Sequence, residues 1–411
     1  MSATPVHNED FSANIPTRHR NGTIGRALFG LSLVVGMIAL ALLGYNIVDE
    51  AITLVAVEYQ VDPDTLARDG RPLEELEKEE LVAILQEHIS RNLFRRFERD
   101  QPFAERSREN VLALVVERVL EPEVEATWPL TDALLNRAAI DAEVTERHEG
   151  AELEWRSWVS PGFLARPMSE DAQSSGVRTA ILGSLWMIAI TLLLAFPVGV
   201  GAAIYLEEYA SDNPINRVIQ TNINNLAGVP SIIYGMLGLA IFVRALEPYT
   251  SGARLGVEAG TGRTLLSAAL TMALLVLPIM IISAQEAIRA VPRSLRLASF
   301  GLGATKWQTI WHHVLPSALP GILTGTILAT ARAIGETAPL IVVGASTYII
   351  TDPTGPFSKF TVLPIQIYNW TKQPQAEFRN IAAAAIIVLL GLLLTLNATA
   401  VFLRNRFSKR Y

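Results

Sequence analysis

Charge-free apolar runs about twenty residues long constrain this chain more than any other feature. A helix needs about 20 residues to cross a hydrocarbon core about 30 Å thick, and only helices and closed barrels satisfy their own backbone there. Six runs approach that length: Ala27 to Val48, Thr179 to Leu206, Leu226 to Val243, Thr264 to Gln285, Leu319 to about Ala345, and Ile381 to Leu403. Half of the 411 residues are hydrophobic and the mean hydropathy is positive at +0.31, which places the chain among integral membrane proteins. The first run follows Arg18, Arg20 and Arg26. It exceeds the roughly 7 to 15 apolar residues of a signal peptide and lacks a clear small-x-small exit, so it reads as an uncleaved anchor. The expected fold class is therefore all-α, with six transmembrane helices.

Charge divides the chain into two unlike parts. Residues 49–175 hold 29 of the 40 acidic residues and 14 of the 34 basic ones, net −15, which leaves the other 284 residues at +9. A polar block is inserted into a basic, apolar chain. Within it Leu81, Leu85, Ile89, Leu93 and Phe97 recur every four residues with Ile84 beside them, and Val111, Leu112, Val115 and Val119 repeat the pattern. Pro129 stands where a third helix can begin, with Leu134, Leu135 and Ala138 on its stripe. The block reads as a helical domain between the first two spans, a packed lid or interaction module without a distinguished carboxylate pair or histidine cluster.

Orientation follows from where arginine and lysine gather beside the spans. The N-terminal arm, the segment with Arg289, Arg293, Arg296 and Lys306, and the tail with Arg404, Arg406, Lys409 and Arg410 share one side if there are six spans. That side is expected to be the cytoplasm. The organisation is then a cytoplasmic arm (1–26), a first transmembrane helix (27–48), a periplasmic insert (49–175), a core of five transmembrane helices (176–405) and a cytoplasmic tail (406–411). Both termini are then expected in the cytoplasm.

Motifs for covalent chemistry are missing. The sequence has no Cys, which excludes disulfides and thiolate chemistry. Gly260, Gly262, Arg263 and Thr264 imitate a phosphate loop, but Val257 stands where the first Gly belongs and Arg263 where the Lys belongs, so the segment reads as a turn. No H-E-x-x-H helix and no G-x-S-x-G elbow occurs. No catalytic residue, metal ligand or cofactor is expected in this chain, and the scattered basic residues make no nucleic-acid surface.

The segment 286–316 begins the stretch EAIRAVPRSLRLASFGLGATKWQTIWHHVLPSALPG. Arg289, Arg293 and Arg296 are spaced for one helical face, Pro292 bends the chain, and Gly301 and Gly303 allow a sharp turn before a short helical piece ending at Pro316. A helix, turn and helix on the basic side form either a docking element or a loop that merely obeys sidedness. Here the residues resemble a family. Permease subunits of ABC importers carry a cytoplasmic loop with E-A-A, three residues, Gly, nine residues and I-x-L-P. Leu297, Ala298, Ser299, then Gly303, then His313, Val314, Leu315 and Pro316 follow that form, with Leu297 in place of the acidic residue and His313 in place of the aliphatic one. LAGVPSIIYGMLGL from Leu226 and the stretch from Pro316 through Gly335, Glu336, Thr337, Ala338, Pro339 and Leu340 are similar to the PstA-type permease subunit of phosphate-specific importers.

The resemblance implies the type I ABC-importer permease fold with an extracytoplasmic insert outside the family pattern. It also implies partners: a second homologous permease, a dimer of cytosolic ATPase subunits seated on the coupling loop and carrying the ATP and Mg, and a periplasmic phosphate-binding protein, all around a lipid bilayer. Arg332 and Glu336 interrupt the fifth run, and ionisable groups at membrane depth face a partner or a water-filled path. Four residues apart, they share a helix face and partly neutralise each other. Arginine suits a tetrahedral oxyanion through its fork of donors, and Gly335 leaves room for close approach. The expected substrate path is thus Arg332, Gly335, Glu336 and Thr337. An ion bridge that only fixes helix packing is the competing reading of the pair. Asn222, Asn224 and Asn225 read as polar residues at a helix entry. The nearest functional rivals are a permease for sulfate or molybdate and a membrane sensor that uses the insert.

Overall fold

The computed structural model describes residues 15–68, 71–120, 122–148, 150–257 and 261–407. Most of the expected N-terminal arm, Gly260 and the tail residues 408–411 lie outside the described residues. The first span is α1 (Ile15–Ala51), which overruns both expected ends. Its 37 residues reach ~55 Å at ~1.5 Å each, more than a bilayer core requires. Leu28, Phe29, Leu33 and Leu40 are exposed along it, as suits a helix surrounded by lipid.

Helix α1 passes directly into β1 (Ile52–Tyr59), the centre of a three-stranded antiparallel sheet ordered β2-β1-β3 with β2 (Pro122–Pro129) and β3 (Glu152–Ser157). The expectation of a purely helical insert is therefore corrected. The reason lies in the run from Ile52 to Val57, which is apolar but for the buried Thr53 because both faces of the strand are covered. Leu54 and Ala56 pack with Ile140 and Val144. Val55 and Val57 pack on the opposite face with Trp158, Phe163 and Ile381, which joins the insert to the membrane core.

The insert's helices are α2 (Lys78–His88), α3 (Arg91–Asp100), α4 (Arg108–Val115), α5 (Leu130–Leu135) and α6 (Arg137–Arg147). The single helix expected from Leu81 to Phe97 breaks at Ser90, whose hydroxyl accepts from the Leu93 amide at 3.3 Å and starts α3. Leu81, Ile84, Leu85, Val111, Val115 and Val119 do share one core, and Leu93 falls outside it. Pro129 precedes a helix as expected. The stripe Leu134, Leu135 and Ala138 is corrected, however: Leu134 and Leu135 are 66% and 76% exposed, and Ala133, Ile140 and Val144 are buried instead. Asn136, with φ −119° and ψ 27°, interrupts the helix there and changes its phase.

The remaining elements are α7 (Pro161–Ala165), α8 (Arg178–Ile204), α9 (Pro214–Ala227), α10 (Ser231–Gly238), α11 (Glu247–Thr250), α12 (Leu265–Arg289), α13 (Arg293–Gly301), α14 (Lys306–Thr309), α15 (Leu315–Gly335), α16 (Ala338–Val343), α17 (Leu363–Trp370) and α18 (Ala376–Phe407). Among the described residues five helical stretches are long and apolar enough to cross a membrane, and a bent pair completes six. That pair, Pro214–Ala227 with Ser231–Ala245, turns through 106°, which corrects the expected straight span from Leu226 to Val243. Pro230 lacks an amide hydrogen and stands as the N-cap of α10 at φ −56° and ψ 135°, outside helical geometry, where the chain turns. Helix α12 lies at the centre, packed on α8 and α15, and α18 packs on both α1 and α15. Met187, Met272, Leu275, Val276, Ala329 and Ala333 fill the core between them.

Candidate functional site

Two places collect the expected residues. The first is a break in the fifth span. Helix α15 ends at Gly335; Glu336 is already extended, with φ −79° and ψ 123°, and Thr337 starts α16 without a side-chain cap. Arg332 and Glu336 therefore do not occupy successive turns of one helix, as their spacing suggested. They still meet, Arg332 Nε donating to Glu336 Oε1 at 3.3 Å, with the Arg332 side chain about half exposed and that of Glu336 19% exposed. The contact uses only Nε, and no other polar contact of this guanidinium occurs among the described residues. Its terminal nitrogens remain a free fork. A Cβ placed on Gly335 would meet nothing within 4 Å, so the space expected beside the pair is present.

The bend of the third span forms the other wall. Helix α10 packs on α16, and a Cβ on Gly235 would lie 2.6 Å from Pro339 Cα. Only glycine lets the two backbones approach so closely. Tyr234, buried beside it, donates its hydroxyl across the bend to the Leu226 carbonyl at 2.8 Å. Sequence reasoning missed Tyr234, because nothing in a single apolar run shows that it folds back on itself. Asn222 donates to the carbonyl of Val218 at 2.9 Å, one turn back in α9, in keeping with a helix-surface role.

The second place is the segment 286–316. Helix α13 is followed by Gly303 at φ +81°, the left-handed conformation that favours glycine. The Ser299 hydroxyl meets that of Thr309 at 2.9 Å and closes the turn from beneath. Leu297, Leu302, Trp307 and Trp311 are 69%, 91%, 58% and 54% exposed, and the two tryptophan rings stack with centroids 5.5 Å apart. Ala298 and Gly303 are exposed, Ser299 is buried, and Leu315 packs against the cluster of Ala203, Ile281, Ala284 and Ile288. Of the residues expected in the coupling loop, Leu297, Ala298 and Gly303 are thus exposed, while Ser299 is buried and Leu315 partly so. Pro316 does not end a short helical piece: α14, a wide turn at Ile310–Val314 and α15 form one helical line from Lys306 to Gly335. Pro316 lacks the amide hydrogen that would bond back into the preceding turn, and the wide turn Ile310–Val314 lies directly before it.

The arginines expected on one helical face are instead divided between α12 and α13. Arg289 bonds Glu207 at 2.6 Å, with 69% of its side chain exposed. Arg296 is more enclosed. Its Nη2 lies 2.9 Å from Glu208 Oε1, and its guanidinium also donates to the Val291 and Ile288 carbonyls at 2.6 Å and 2.9 Å. It thereby caps the end of α12 and clasps α13 to the end of the second span. Glu207 and Glu208 were missed, although two acidic residues closing an apolar run on the arginine-rich side are a legible signal.

A profile of the family described as binding-protein-dependent transport system inner membrane component matches residues 195–410. Over 256 residues, 59% of this chain and 83% of its relative, the sequence is 32% identical to "Probable ABC transporter permease protein YqgI" of Bacillus subtilis (strain 168). It is 35% identical over 234 residues to the phosphate transport system permease protein PstA of Yersinia pestis, covering 56% of this chain and 74% of that one. It is 34% identical over 239 residues to phosphate transport system permease protein PstA 1 of Mycobacterium tuberculosis (strain ATCC 25618 / H37Rv), covering 58% and 72%. Among solved structures, a bacterial ABC transporter involved in the import of the acidic polysaccharide alginate is similar at 16% identity and a TM-score of 0.44, over 77% of this chain and all of the other.

Proposed function

This chain belongs to the family of binding-protein-dependent transport system inner membrane components, and on that premise we propose that it is the permease subunit of an ATP-driven importer of inorganic phosphate. The observation that carries the reading is the Arg332–Glu336 pair at the break of α15, inside the part of the chain similar to two phosphate transport permeases. An anion leaving water for a low-dielectric path loses hydration worth several kcal/mol. Arg332 replaces it with two terminal donors in planar register, while Glu336 holds Nε and offsets part of the charge, so the anion is released again.

The subunit forms half of the path, and a second homologous permease supplies the other half. A dimer of cytosolic ATPase subunits, holding ATP and Mg, seats on Leu297, Ala298 and Gly303, and a periplasmic phosphate-binding protein delivers the solute from the other side. The termini and α13 face the cytoplasm in this arrangement, and the insert with its sheet faces the periplasm. Labelled-phosphate uptake, measured together with the quantity of assembled complex, tests the reading. Arg332→Ala is expected to lower uptake by about a hundredfold or more with the complex intact, because two charge-assisted hydrogen bonds of roughly 1.5–3 kcal/mol each are lost. Arg332→Lys is expected to fall between, having the charge without the fork. Normal uptake by Arg332→Ala overturns the path, and loss of uptake in step with loss of complex assigns the pair to packing. Sulfate or molybdate transported in preference to phosphate overturns the substrate.

A further inference from the structure

The insert carries its most open apolar side chains at one corner. Leu134 and Leu135 end α5 at 66% and 76% exposed, and no large apolar side chain described between Ile52 and Val177 is more open. Their direction is set locally. Ala133 turns into the core against Ile140 and Val144, and Asn136, whose side-chain amide donates to Asp132 at 3.1 Å, stops the helix before either leucine can follow. Two adjacent leucines facing outward are unfavourable in water and mark a surface that something covers.

What covers them follows from their level. Strand β2 runs back along β1 until Pro129 pairs with Thr53, so α5 starts beside the last turn of α1. Thr131 fixes it there. Asp49 Oδ1 accepts both the amide and the hydroxyl of Thr131 at 2.6 Å. Because that hydroxyl proton points to Asp49, Tyr45 donates to the Thr131 oxygen from one turn back along α1. The charge-free run of α1 from Ala27 to Val48 covers about 33 Å at ~1.5 Å per residue, which matches a hydrocarbon core of about 30 Å. Thr131 therefore bonds to one residue inside that boundary and to one just outside it. Tyrosine suits the boundary, with an apolar ring and a polar tip. On the same face of α1, three and seven residues before Tyr45, Leu42 and Ile38 are exposed as well.

We propose that the Leu134–Leu135 corner enters the acyl boundary of the nearer leaflet and moors the insert to the lipid surface beside α1. The level of α5, the tyrosine that ties it and the exposed apolar face of α1 beneath it commit this surface to lipid. Arg137, two residues on, is paired with Asp141 at 3.0 Å, so no unpaired cation accompanies the leucines into the interface. The inference concerns neither the substrate assigned to Arg332 nor the side of the membrane on which the insert lies.

The chain has no cysteine, so Leu135→Cys in the full complex in lipid nanodiscs, with partner subunits also free of cysteine, carries a single bimane label. Gln86→Cys is the reference. Gln86 is exposed in α2, whose core packs around Tyr59, about 23 Å from Ile52 along β1 at ~3.3 Å per residue. A nitroxide on the fifth acyl carbon of phosphatidylcholine should quench the Leu135 label about twofold or more, since interfacial apolar faces lie about 5–10 Å into the headgroup and acyl boundary, and should leave the Gln86 label unchanged. Iodide in the water should do the reverse. Thr131→Ala, which removes the tie to Tyr45 and half of that to Asp49, should bring the Leu135 label back toward the reference in both measurements. Should Leu135→Cys not accumulate, Leu134→Cys gives the same readout. Iodide quenching equal at Leu135 and Gln86 leaves the corner in water and overturns the proposal. Shielding from both quenchers places it against a protein partner and overturns it too. Lipid quenching that Thr131→Ala does not change overturns Thr131 as the group that sets the level.

Discussion

Replacing Gly235 by alanine is the sharpest test of how the bent third span supports the break in the fifth. The added Cβ would lie 2.6 Å from Pro339 Cα, 3.0 Å from its carbonyl oxygen and 3.2 Å from its carbonyl carbon. Carbon atoms rest at about 3.5–4.0 Å, so α10 and α16 must part by about 1 Å. The obstacle is backbone at the start of α16, which cannot rotate away. Overpacking of this kind costs about 1–3 kcal/mol, and the upper part of that range applies here. Alanine in place of a helical glycine returns about 1 kcal/mol through propensity, leaving a net loss of about 1–2 kcal/mol. Gly391, exposed in α18 with open space around it, is the matched control, since Gly391→Ala gains the propensity without the clash. Thermal unfolding of the purified complex, followed by intrinsic tryptophan fluorescence, should place Gly235→Ala below the parent and Gly391→Ala at or above it. Because Pro339 lies three residues past Glu336, uptake per assembled complex should also fall in Gly235→Ala alone. Coincident melting of the two variants, with wild-type uptake by both, would refute the packing argument.

Three further expectations follow from the loop and the sidedness. Gly303→Val forces a β-branched residue to φ +81° at a cost of about 1–3 kcal/mol. It should leave the permease in the membrane while ATPase activity and uptake come apart; unchanged coupling counts against a docking role for α13. Glu208→Gln removes one side of a pair whose side chains are 10% and 17% exposed, and it should cost about 2–3 kcal/mol, somewhat less than a fully buried pair. Glu207→Gln, whose partner Arg289 is 69% exposed, should cost less than about 1 kcal/mol, so equal melting of the two variants would show that the clasp is not at Arg296. Single cysteines at Gln86 and Lys359, both exposed, should react with an impermeant thiol reagent in intact spheroplasts, and one at Ser294 should not; labelling of Ser294 from outside contradicts the orientation.

The spans were legible because membrane burial writes itself as length and absence of charge, and that signal survives whatever the neighbours do. What failed was local. The strand Ile52–Tyr59 was invisible because it follows α1 without a turn and, covered on both faces, shows no alternation to separate it from a helical continuation. The stripe at Leu134 and Leu135 failed for the opposite reason, since its periodicity is real but Asn136 resets the phase of the helix. The bend at Pro230 was not readable from the proline alone, since Pro197, Pro278 and Pro320 lie inside continuous helices, and the apolar run on each side invited a single straight span. At the site, the pairing of Arg332 with Glu336 was legible from their types. The departure of Glu336 from the helix was not, because it depends on α10 packing against α16, a contact between residues a hundred positions apart in sequence.

The same distinction decides what the segment from Lys306 to Gly335 can transmit. An expected short piece ending at Pro316 would have left a hinge between the exposed loop and the membrane, and any push on α13 would dissipate there. Instead the 30 residues form one helical line, about 45 Å long at ~1.5 Å per residue, with the exposed Trp307 and Trp311 near one end and the Arg332 break at the other. Its loop end is tied to α13 through Ser299 and Thr309, and α13 is tied through Arg296 to Glu208 at the end of the second span. A displacement of α13 reaches the line across the short Gly303 turn, which the Ser299–Thr309 bond spans. The wide turn at Ile310–Val314 and the prolines Pro316 and Pro320 that follow it interrupt the bonding along the line, and Val314, Leu315, Ala318 and Ile322 pack in the cluster around Ile281 and Ile288, where α12 holds them. A helix tied near one end and broken at the other would convert tilt at the loop into a change of separation at Arg332, the movement that the proposed anion path requires.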